Sequence, residues 1–365
     1  MNKAKQYSKE KYILFFVGTV FTFLFLIIFQ IFVSAPIKSI VILWTPNFYL
    51  IVILYALLFS VINYWAGFPL HFYETFFIEH KYGLSNQDLL AWTKDEIKKN
   101  IISGIIFLLF VLLFYYVLKS TGQYWWLILA FFWMLFTLFF SRIMPTVILP
   151  LFYKYSDVDD DQLKADISKL AKESGIKILD IFKINFSLKT KKANAAVIGI
   201  GKSRRVILAD TLLANFSKQQ ILSVCAHEFG HHKRAHMPKL IVFSCVSTAL
   251  SFYLLNVCLD RIVVLCNASS IYDIKIFPSF LLVLYVFSLI MMPIQNWFSR
   301  KLEVEADLFA LLKTKDIGAF KGVMQKLGEM NLADVDPPKI FKYLFYSHPP
   351  ISERIAFAEK HEKSS

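Results

Sequence analysis

The amino-acid sequence predicts a mainly α-helical, polytopic membrane protein that carries a small β-sheet in its polar part. Of its 365 residues, 56% are hydrophobic, whereas about 45–50% is typical of a soluble domain. The excess falls into six apolar blocks, each near the roughly 20 residues that a transmembrane helix needs. A polar segment with strand-like patterns separates the fourth block from the fifth.

We predict six transmembrane helices, which divide the chain into four regions. The predicted spans are residues 12–34, 48–70, 101–118, 124–150, 239–259 and 277–298. The regions are an N-terminal membrane region with four spans (1–150), a soluble insert (151–238), the last two spans (239–298) and a C-terminal segment (299–365). The first block has no small-residue cleavage site after it and is too long for a signal peptide, so we expect it to be retained. Residues 71–100 are mixed in polarity and are expected at the interface or in the cytosol.

Basic residues are distributed unevenly between the loops on the two sides of the membrane. Four precede the first span and four lie between the second and third: Lys3, Lys5, Lys9, Lys11, Lys81, Lys94, Lys98 and Lys99. The opposite loops carry only Lys38, Lys119, Arg261 and Lys275. The positive-inside rule therefore puts the N-terminus, the insert and the C-terminal segment in the cytosol. We attribute the net charge of +13 to loops that face anionic lipid and expect no nucleic-acid binding.

The soluble insert has one clear helix and three strands. "DDDQLKADISKLAKESG" (159–175) is typical of an amphipathic helix that opens with acidic residues. "ILDIFKINFS" (178–187), "AAVIGIG" (195–201) and "RRVILAD" (204–210) are strand-like, with "GIGKS" (199–203) as a hairpin turn. The four cysteines show no paired spacing, so we expect scattered thiols and no disulfide framework.

The segment "HEFGH" places His227 and His231 four residues apart on one helical face, with Glu228 at its edge. Zinc held by two histidines and one further ligand keeps an open position for water. Glu228 can take the proton of that water, as in HExxH proteases. Ser217 and Gln220 form a predicted capping box that begins this helix. The five-letter pattern alone also occurs by chance, and we expect the later histidines of "HHKRAH" to be solvated or near the site without being ligands.

The third ligand must come from another segment, and "SRKLEVEAD" (299–307) follows the last span on the same predicted side. Glu303 and Asp307 share one helical face there, while Glu305 points elsewhere. Taken alone, the segment is equally typical of a charged helix beside a membrane. Two histidines that need an acidic partner favour the metal-site interpretation.

Five motifs together resemble the type I CAAX prenyl proteases, integral-membrane zinc endopeptidases of the HExxH gluzincin superfamily. In chain order they are "EHKYGLS" (79–85), "KANAAVIGIGKSRRVILADTLL" (192–213), "HEFGH" (227–231), "SRKLEVEAD" (299–307) and "FYSHPPISERI" (345–355). The resemblance covers nearly the whole chain. It implies a ring of helices around a water-filled chamber with the zinc site at its cytosolic end. The eukaryotic members have seven spans, so we expect either that one early helix is missing here or that residues 35–70 are folded differently.

The resemblance also implies roles for individual residues. His227, His231 and Glu303 correspond to ligands of one zinc ion per chain, and Glu228 corresponds to the general base and acid. Asn194 and Ala195 stand where the family holds the substrate backbone. His348 stands where a histidine steadies the oxyanion. Asp307 and Arg354 stand around the metal ligands and are expected to pair with each other.

The sequence therefore predicts a membrane-embedded zinc metalloendopeptidase that cuts near the C-terminus of prenylated, CAAX-type or other membrane-associated substrates. The closest alternative is an HtpX-like protease for quality control of membrane proteins. An intramembrane protease of the site-2 type fits less well, because the charged "HHKRAH" follows the motif directly. A non-catalytic membrane chaperone is disfavoured by the intact Glu228. The expected partners are a peptide or protein substrate and the lipid bilayer. The expected location is the inner membrane of a bacterium, or the endoplasmic reticulum or nuclear membrane of a eukaryote.

Overall fold

A computed structural model of the protein describes residues 3–199 and 204–362. Within these residues, six helical stretches are long and apolar enough to cross a membrane, as predicted. They are Lys3–Trp44, Phe48–Lys81, Leu89–Ser120, Gly122–Leu151, His236–Leu265 and Ile274–Thr314. Most of the predicted hairpin turn at 199–203 lies outside the described residues.

The N-terminal membrane region contains six helices. They are α1 (Lys3–Ile28), α2 (Ser34–Trp44), α3 (Phe48–Phe72), α4 (Ile78–Lys81), α5 (Leu89–Ser120) and α6 (Trp125–Ile143). Single π-helical turns at Phe29–Val33 and Tyr73–Phe77 join α1 to α2 and α3 to α4 without breaking the helical path. Helix α5 begins twelve residues before its apolar block, because Asp88 accepts a hydrogen bond from the Ala91 amide and caps it.

The six spans form a closed ring. Around the ring, α1 contacts α3, α3 contacts α5, α5 contacts α6, α6 contacts α10 (His236–Leu265), α10 contacts α11 (Phe277–Thr314), and α11 returns to α1. A buried aromatic cluster with contributions from Phe29, Tyr55, Trp125 and Phe277 fills the ring at the end remote from the HEFGH segment. A closed ring of helices is what an enclosed chamber requires. The chamber itself stays a prediction.

The described residues of the soluble insert form a four-stranded mixed sheet and three α-helices. They are β1 (Tyr155–Asp157), α7 (Asp161–Glu173), β2 (Asp180–Ile184), β3 (Ala195–Ile198), β4 (Arg205–Ala209), α8 (Asp210–Asn215) and α9 (Lys218–Lys233). The strand order is β1-β2-β4-β3, with β2 and β4 parallel and both outer pairs antiparallel. The three predicted strands and the amphipathic helix are present. The sequence missed β1, because "YSD" is short and has no alternating pattern.

The C-terminal segment continues directly from the last span. Helix α11 is 38 residues long and leads without a break from the membrane into the polar part of the chain. The predicted division at residue 298 therefore does not coincide with the end of an element. The last helices are α12 (Ile317–Met330), α13 (Lys339–Phe345) and α14 (Ile351–Glu362). Together with α7, α9 and the sheet, parts of α11, α12 and α14 enclose a second apolar core.

Candidate active site and metal centre

Helix α9 presents the HEFGH motif. Ser217 and Gln220 form the predicted capping box: the Ser217 hydroxyl accepts from the Gln220 amide at 3.3 Å, and the Gln220 side chain accepts from the Ser217 amide at 3.0 Å. His227 and His231 then lie one turn apart, with their Nε2 atoms separated by 3.1 Å.

Burial and the neighbouring His227 lower the pKa of His231 to about 4. Its imidazole is therefore neutral at pH 7. Against the effect of burial, the carboxylates of Asp307 and Glu303 raise the pKa of His227 to about 9. Because a metal ligand must be a neutral imidazole, zinc binding would have to displace a proton from His227.

Gly230 allows α9 and α11 to cross closely enough to bring Glu303 to the two histidines. A Cβ atom at position 230 would lie 3.1 Å from the Ala306 Cα. The carboxylate of Glu303 consequently lies 3.2 Å from His227 Nε2 and 3.4 Å from His231 Nε2. In the described part of the chain, this is the one group of side chains whose ligand atoms converge as a metal site requires.

The three side chains fit a zinc ion. Ligand bonds of about 2.0–2.2 Å in tetrahedral geometry separate the ligand atoms by about 3.3–3.5 Å, close to the observed 3.1–3.4 Å. The Oε2 atom of Glu303 is buried and lies 3.2 Å from His227 Nε2, yet it accepts no well-aligned hydrogen bond from any described residue. A buried carboxylate oxygen without a donor is costly unless a cation balances it. Two imidazoles and one carboxylate also match the donor set of catalytic zinc sites.

Asp307 and Arg354 lie behind His227. The Oδ1 atom of Asp307 is 2.9 Å from His227 Nδ1, one helical turn beyond Glu303. Arg354 donates from Nε to Asp307 Oδ2 at 2.8 Å, and a second bond from its Nη2 makes the contact bidentate. The pairing expected between these two residues is therefore present. It fixes the carboxylate that faces the imidazole, and α14 is thereby tied to the site.

The other histidines after the motif contact protein groups. His232 Nε2 donates to the Val197 carbonyl of β3 at 2.9 Å, and its Nδ1 accepts from Arg204 Nε at 3.2 Å. His236 lies between His231 and Glu305. Within the described residues, the group of converging ligand atoms consists of His227, His231 and Glu303. The sequence did not indicate the contact between His236 and Glu305, because 69 residues separate them.

Glu228 faces a cavity of about 390 Å³ beside the predicted ligands. Burial raises the pKa of its carboxyl, and this effect outweighs the lowering effects of His227 and of the Val197 backbone. The same cavity is lined by Asn194, Ala195 and His348. Apolar side chains form much of the remaining wall, including Leu212, Phe320, Val323, Met324, Leu327 and Ile351. The four predicted residues thus share one cavity with an apolar extension.

Strand β3 forms the edge of the sheet next to this cavity. It pairs with β4 on one side, where the Asn194 carbonyl accepts from the Ala209 amide. The outward amide of Ala195 is bonded to the side chain of Asn194 at 2.9 Å. On the opposite side of the site, His348 Nε2 lies 3.3 Å from the Glu303 carboxylate. The strand edge and His348 therefore flank the region in front of the three predicted ligands.

Residues of the first two spans hold the segment that leads into β3. Lys192 lies 2.8 Å from the carboxylate of Glu79, which also accepts a hydrogen bond from the Tyr7 hydroxyl at 2.6 Å. Nearby, Ser85 and Thr190 form an isolated antiparallel bridge. The motif "EHKYGLS" was thus part of the resemblance, but its contact with the segment before β3 was not predicted. No local pattern in the sequence indicates which insert residue it contacts.

Comparison with known proteins places the chain in a family. The model of peptidase family M48 matches residues 157–362. The chain belongs to this family. A second model, described as the CAAX prenyl protease N-terminal region with five membrane helices, matches residues 1–154. Within the described residues, four helices of spanning length lie in that region, in keeping with the expected shortfall of one early helix.

Similar proteins come from bacteria and eukaryotes. The chain is 32% identical to an uncharacterized metalloprotease, YhfN, of Bacillus subtilis, across 99% of this chain and 86% of the relative. It is 29% identical to the human CAAX prenyl protease 1 homolog, across 84% of this chain and 72% of the relative. The crystal structure of S. mikatae Ste24p has the same fold, with a TM-score of 0.85, 24% identity and coverage of 98% and 87%. The protein is therefore an integral-membrane metalloprotease of the CAAX prenyl protease type, and its family implies a metal ion, typically zinc.

Proposed function

We propose that the protein is a zinc endopeptidase that cuts peptide bonds near the C-terminus of prenylated, CAAX-type or other membrane-associated substrates. The observation that carries this proposal is the position of the metal centre. Glu303 lies on the same continuous helix as the last span, 38 residues in all. It meets His227, which lines one cavity together with Asn194 and Ala195 of the β3 region. A peptide whose anchor lies in lipid could reach this position in an extended conformation.

His227, His231 and Glu303 would hold one zinc ion per chain. When bound, zinc would supply a Lewis acid that polarises the scissile carbonyl group. Glu228 takes a proton from the attacking water and later gives it to the leaving amine. Its raised pKa suits this double role, because a general base works best when its pKa approaches the working pH.

The substrate backbone would extend the sheet at β3. Ala195 can pair with an extended peptide once its amide exchanges the Asn194 side chain for a substrate carbonyl, a form of strand addition. His348, opposite the strand, would donate a hydrogen bond to the oxygen that becomes negative during attack. Asp307 would hold the ring of His227, and Arg354 would hold Asp307.

The test is cleavage of three substrates by purified protein: a farnesylated CAAX peptide, its unprenylated twin and an unfolded membrane protein. We expect the farnesylated peptide to be cut near its C-terminus, with activity lost in the Glu228→Gln variant. Preference for the unfolded membrane protein would instead support the HtpX-like alternative. If the zinc-loaded protein cuts none of the three substrates faster than the Glu228→Gln variant does, the proposal is overturned and a chaperone role is favoured.

We also propose that the active site faces the cytosol, on the basis of the excess of basic residues in the loops on that side. The location would be the inner membrane in a bacterium, and the endoplasmic reticulum or nuclear membrane in a eukaryote. In a cell without prenylated proteins, the native substrate would be another membrane-associated peptide, and the unprenylated twin would be cut at a comparable rate.

A further inference from the structure

His231 has a buried partner of its own, separate from the pair that holds His227. His236 is the first residue of α10 and has only 1% of its side chain exposed. Its Nδ1 atom lies 2.9 Å from His231 Nδ1, and its Nε2 atom lies 3.1 Å from the Glu305 carboxylate. Lys239 contacts the same carboxylate oxygen at 3.4 Å. The order of contacts is therefore Glu305, His236, His231 and then the predicted metal position.

If the imidazoles of His231 and His236 are both neutral, these contacts allow only one placement of their N–H protons. A carboxylate accepts only, so His236 must donate from Nε2 to Glu305. A neutral imidazole carries one N–H, and Nδ1 of His236 is therefore an acceptor. The short contact between the two Nδ1 atoms then needs a donor on His231, which places the His231 proton on Nδ1. Its Nε2 is left with a free lone pair directed at His227 Nε2 and Glu303, where a metal ligand is required.

We propose that Glu305 and His236 are positioning residues that fix the tautomer and ring orientation of His231, and thereby set the metal affinity. The proposal rests on the ligand role proposed for His231. Outer partners of this kind typically contribute 10–100-fold to metal affinity (about 1.4–2.8 kcal/mol). Glu305 is thus no ligand, since it lies beyond His236, yet it acts on the metal through two rings. His227 has a carboxylate neighbour of its own, because Asp307 Oδ1 lies 2.9 Å from its Nδ1.

The test measures the zinc dissociation constant of purified protein by competition with a chelator of known affinity. His236→Leu removes the acceptor and is expected to weaken zinc binding about 10–100-fold. His236→Asn places an amide oxygen near the former Nδ1 position and should restore most of the affinity. Glu305→Gln keeps an acceptor for His236 and should bind zinc nearly as wild type does, whereas Glu305→Leu should not.

The double variant distinguishes this relay from simple packing. If Glu305 acts only through His236, Glu305→Leu weakens zinc binding in the wild-type background and has no further effect in His236→Leu. Independent contributions would add instead, and additivity would overturn the proposal. His232→Leu is the matched control, because His232 follows His231 in α9 but touches no predicted ligand. Its zinc affinity should stay near that of the wild type.

The readout also separates this inference from the proposed function. Unchanged zinc affinity in both His236→Leu and Glu305→Leu would refute the relay, whatever the protein cleaves. Full zinc occupancy in His231→Ala would instead refute the ligand assignment on which the relay rests. Thermal unfolding of the zinc-free variants reports whether each one is folded. If a leucine variant is not folded, the His236→Asn and Glu305→Gln variants still test the proposal.

Discussion

The Arg354–Asp307 pair offers a quantitative test of how the site is held together. Asp307 has 1% of its side chain exposed and Arg354 has 11%, and two hydrogen bonds join them. Replacement of Arg354 by methionine leaves the aspartate buried without its guanidinium. Removal of one partner of a buried ion pair typically costs about 3–5 kcal/mol. Because Asp307 keeps His227 Nδ1 at 2.9 Å, we expect Arg354→Met to lower the free energy of unfolding of the zinc-free protein by about 3 kcal/mol, the lower end of that range.

A double-mutant cycle isolates the pair from other effects of the substitution. Asp307→Asn removes the charge but keeps the shape, so the Asp307→Asn/Arg354→Met protein has no uncompensated charge at this position. Coupling between residues in contact reaches about 3 kcal/mol, and we expect a value near this limit. The measurement is denaturant unfolding of zinc-free protein in detergent micelles. Zinc must be absent, because bound metal would add its own stabilisation.

The chain contains a matched control only a few residues away. Lys342 and Glu353 also form a short ion pair, at 2.5 Å, but Glu353 is about half exposed. Exposed pairs contribute about 0–1 kcal/mol, because solvent screens them. Lys342→Met should therefore cost little. If Arg354→Met costs no more than Lys342→Met, or if the cycle shows no coupling, the burial argument for this pair is wrong.

Four further predictions follow from the site and the topology. Glu228→Gln should retain zinc and fold but lose about 10²–10⁴-fold in turnover; near-normal hydrolysis would mean that another base acts. Glu303→Ala should lose zinc to a chelator, and full occupancy would remove Glu303 from the ligand set. His348→Ala should lower kcat more than it raises KM, because its bond forms to charge that develops in the transition state; a change in KM alone would assign it to docking. In intact cells, a cysteine reporter at Asn267 should react with an external label and one at Lys5 should not, whereas labelling of both would reveal an additional span.

The membrane helices were predictable because their signal is local. Each span needs a continuous apolar run, and the sequence displays that run directly. Their ends were less predictable: α5 begins at Leu89, within a stretch of mixed polarity, because Asp88 caps it and the helix continues outside the apolar run. Similarly, α11 passes its apolar run and continues to Thr314. Hydropathy marks the membrane-embedded part of a helix, and capping and packing determine where the helix stops.

For the site, local residue spacing predicted only the pair of histidines. His227 and His231 follow from the helical repeat, and Glu303 from the need for an acid on the same side of the membrane. Asn194, His348 and Arg354 lie far from HEFGH in sequence and were assigned through the family resemblance. His236 was expected to be either solvated or near the site, and its bond to Glu305 depends on how α10, which follows α9, is placed by the crossing of α9 and α11. Residue spacing carries no record of that crossing.

The contact of Glu79 and Tyr7 with Lys192 links the position of β3 to the membrane part of the protein. These two residues belong to α4 and α1, at the ends of the first two spans, so the height of β3 over the bilayer is set by helices embedded in it. A substrate anchored in lipid has a fixed starting depth, and an extended chain covers about 3.3–3.6 Å per residue. Under the proposed function, the number of residues between anchor and strand would decide which peptide bond arrives in front of Glu228. Selection of the cleaved bond would then depend on chain length as well as on side-chain recognition.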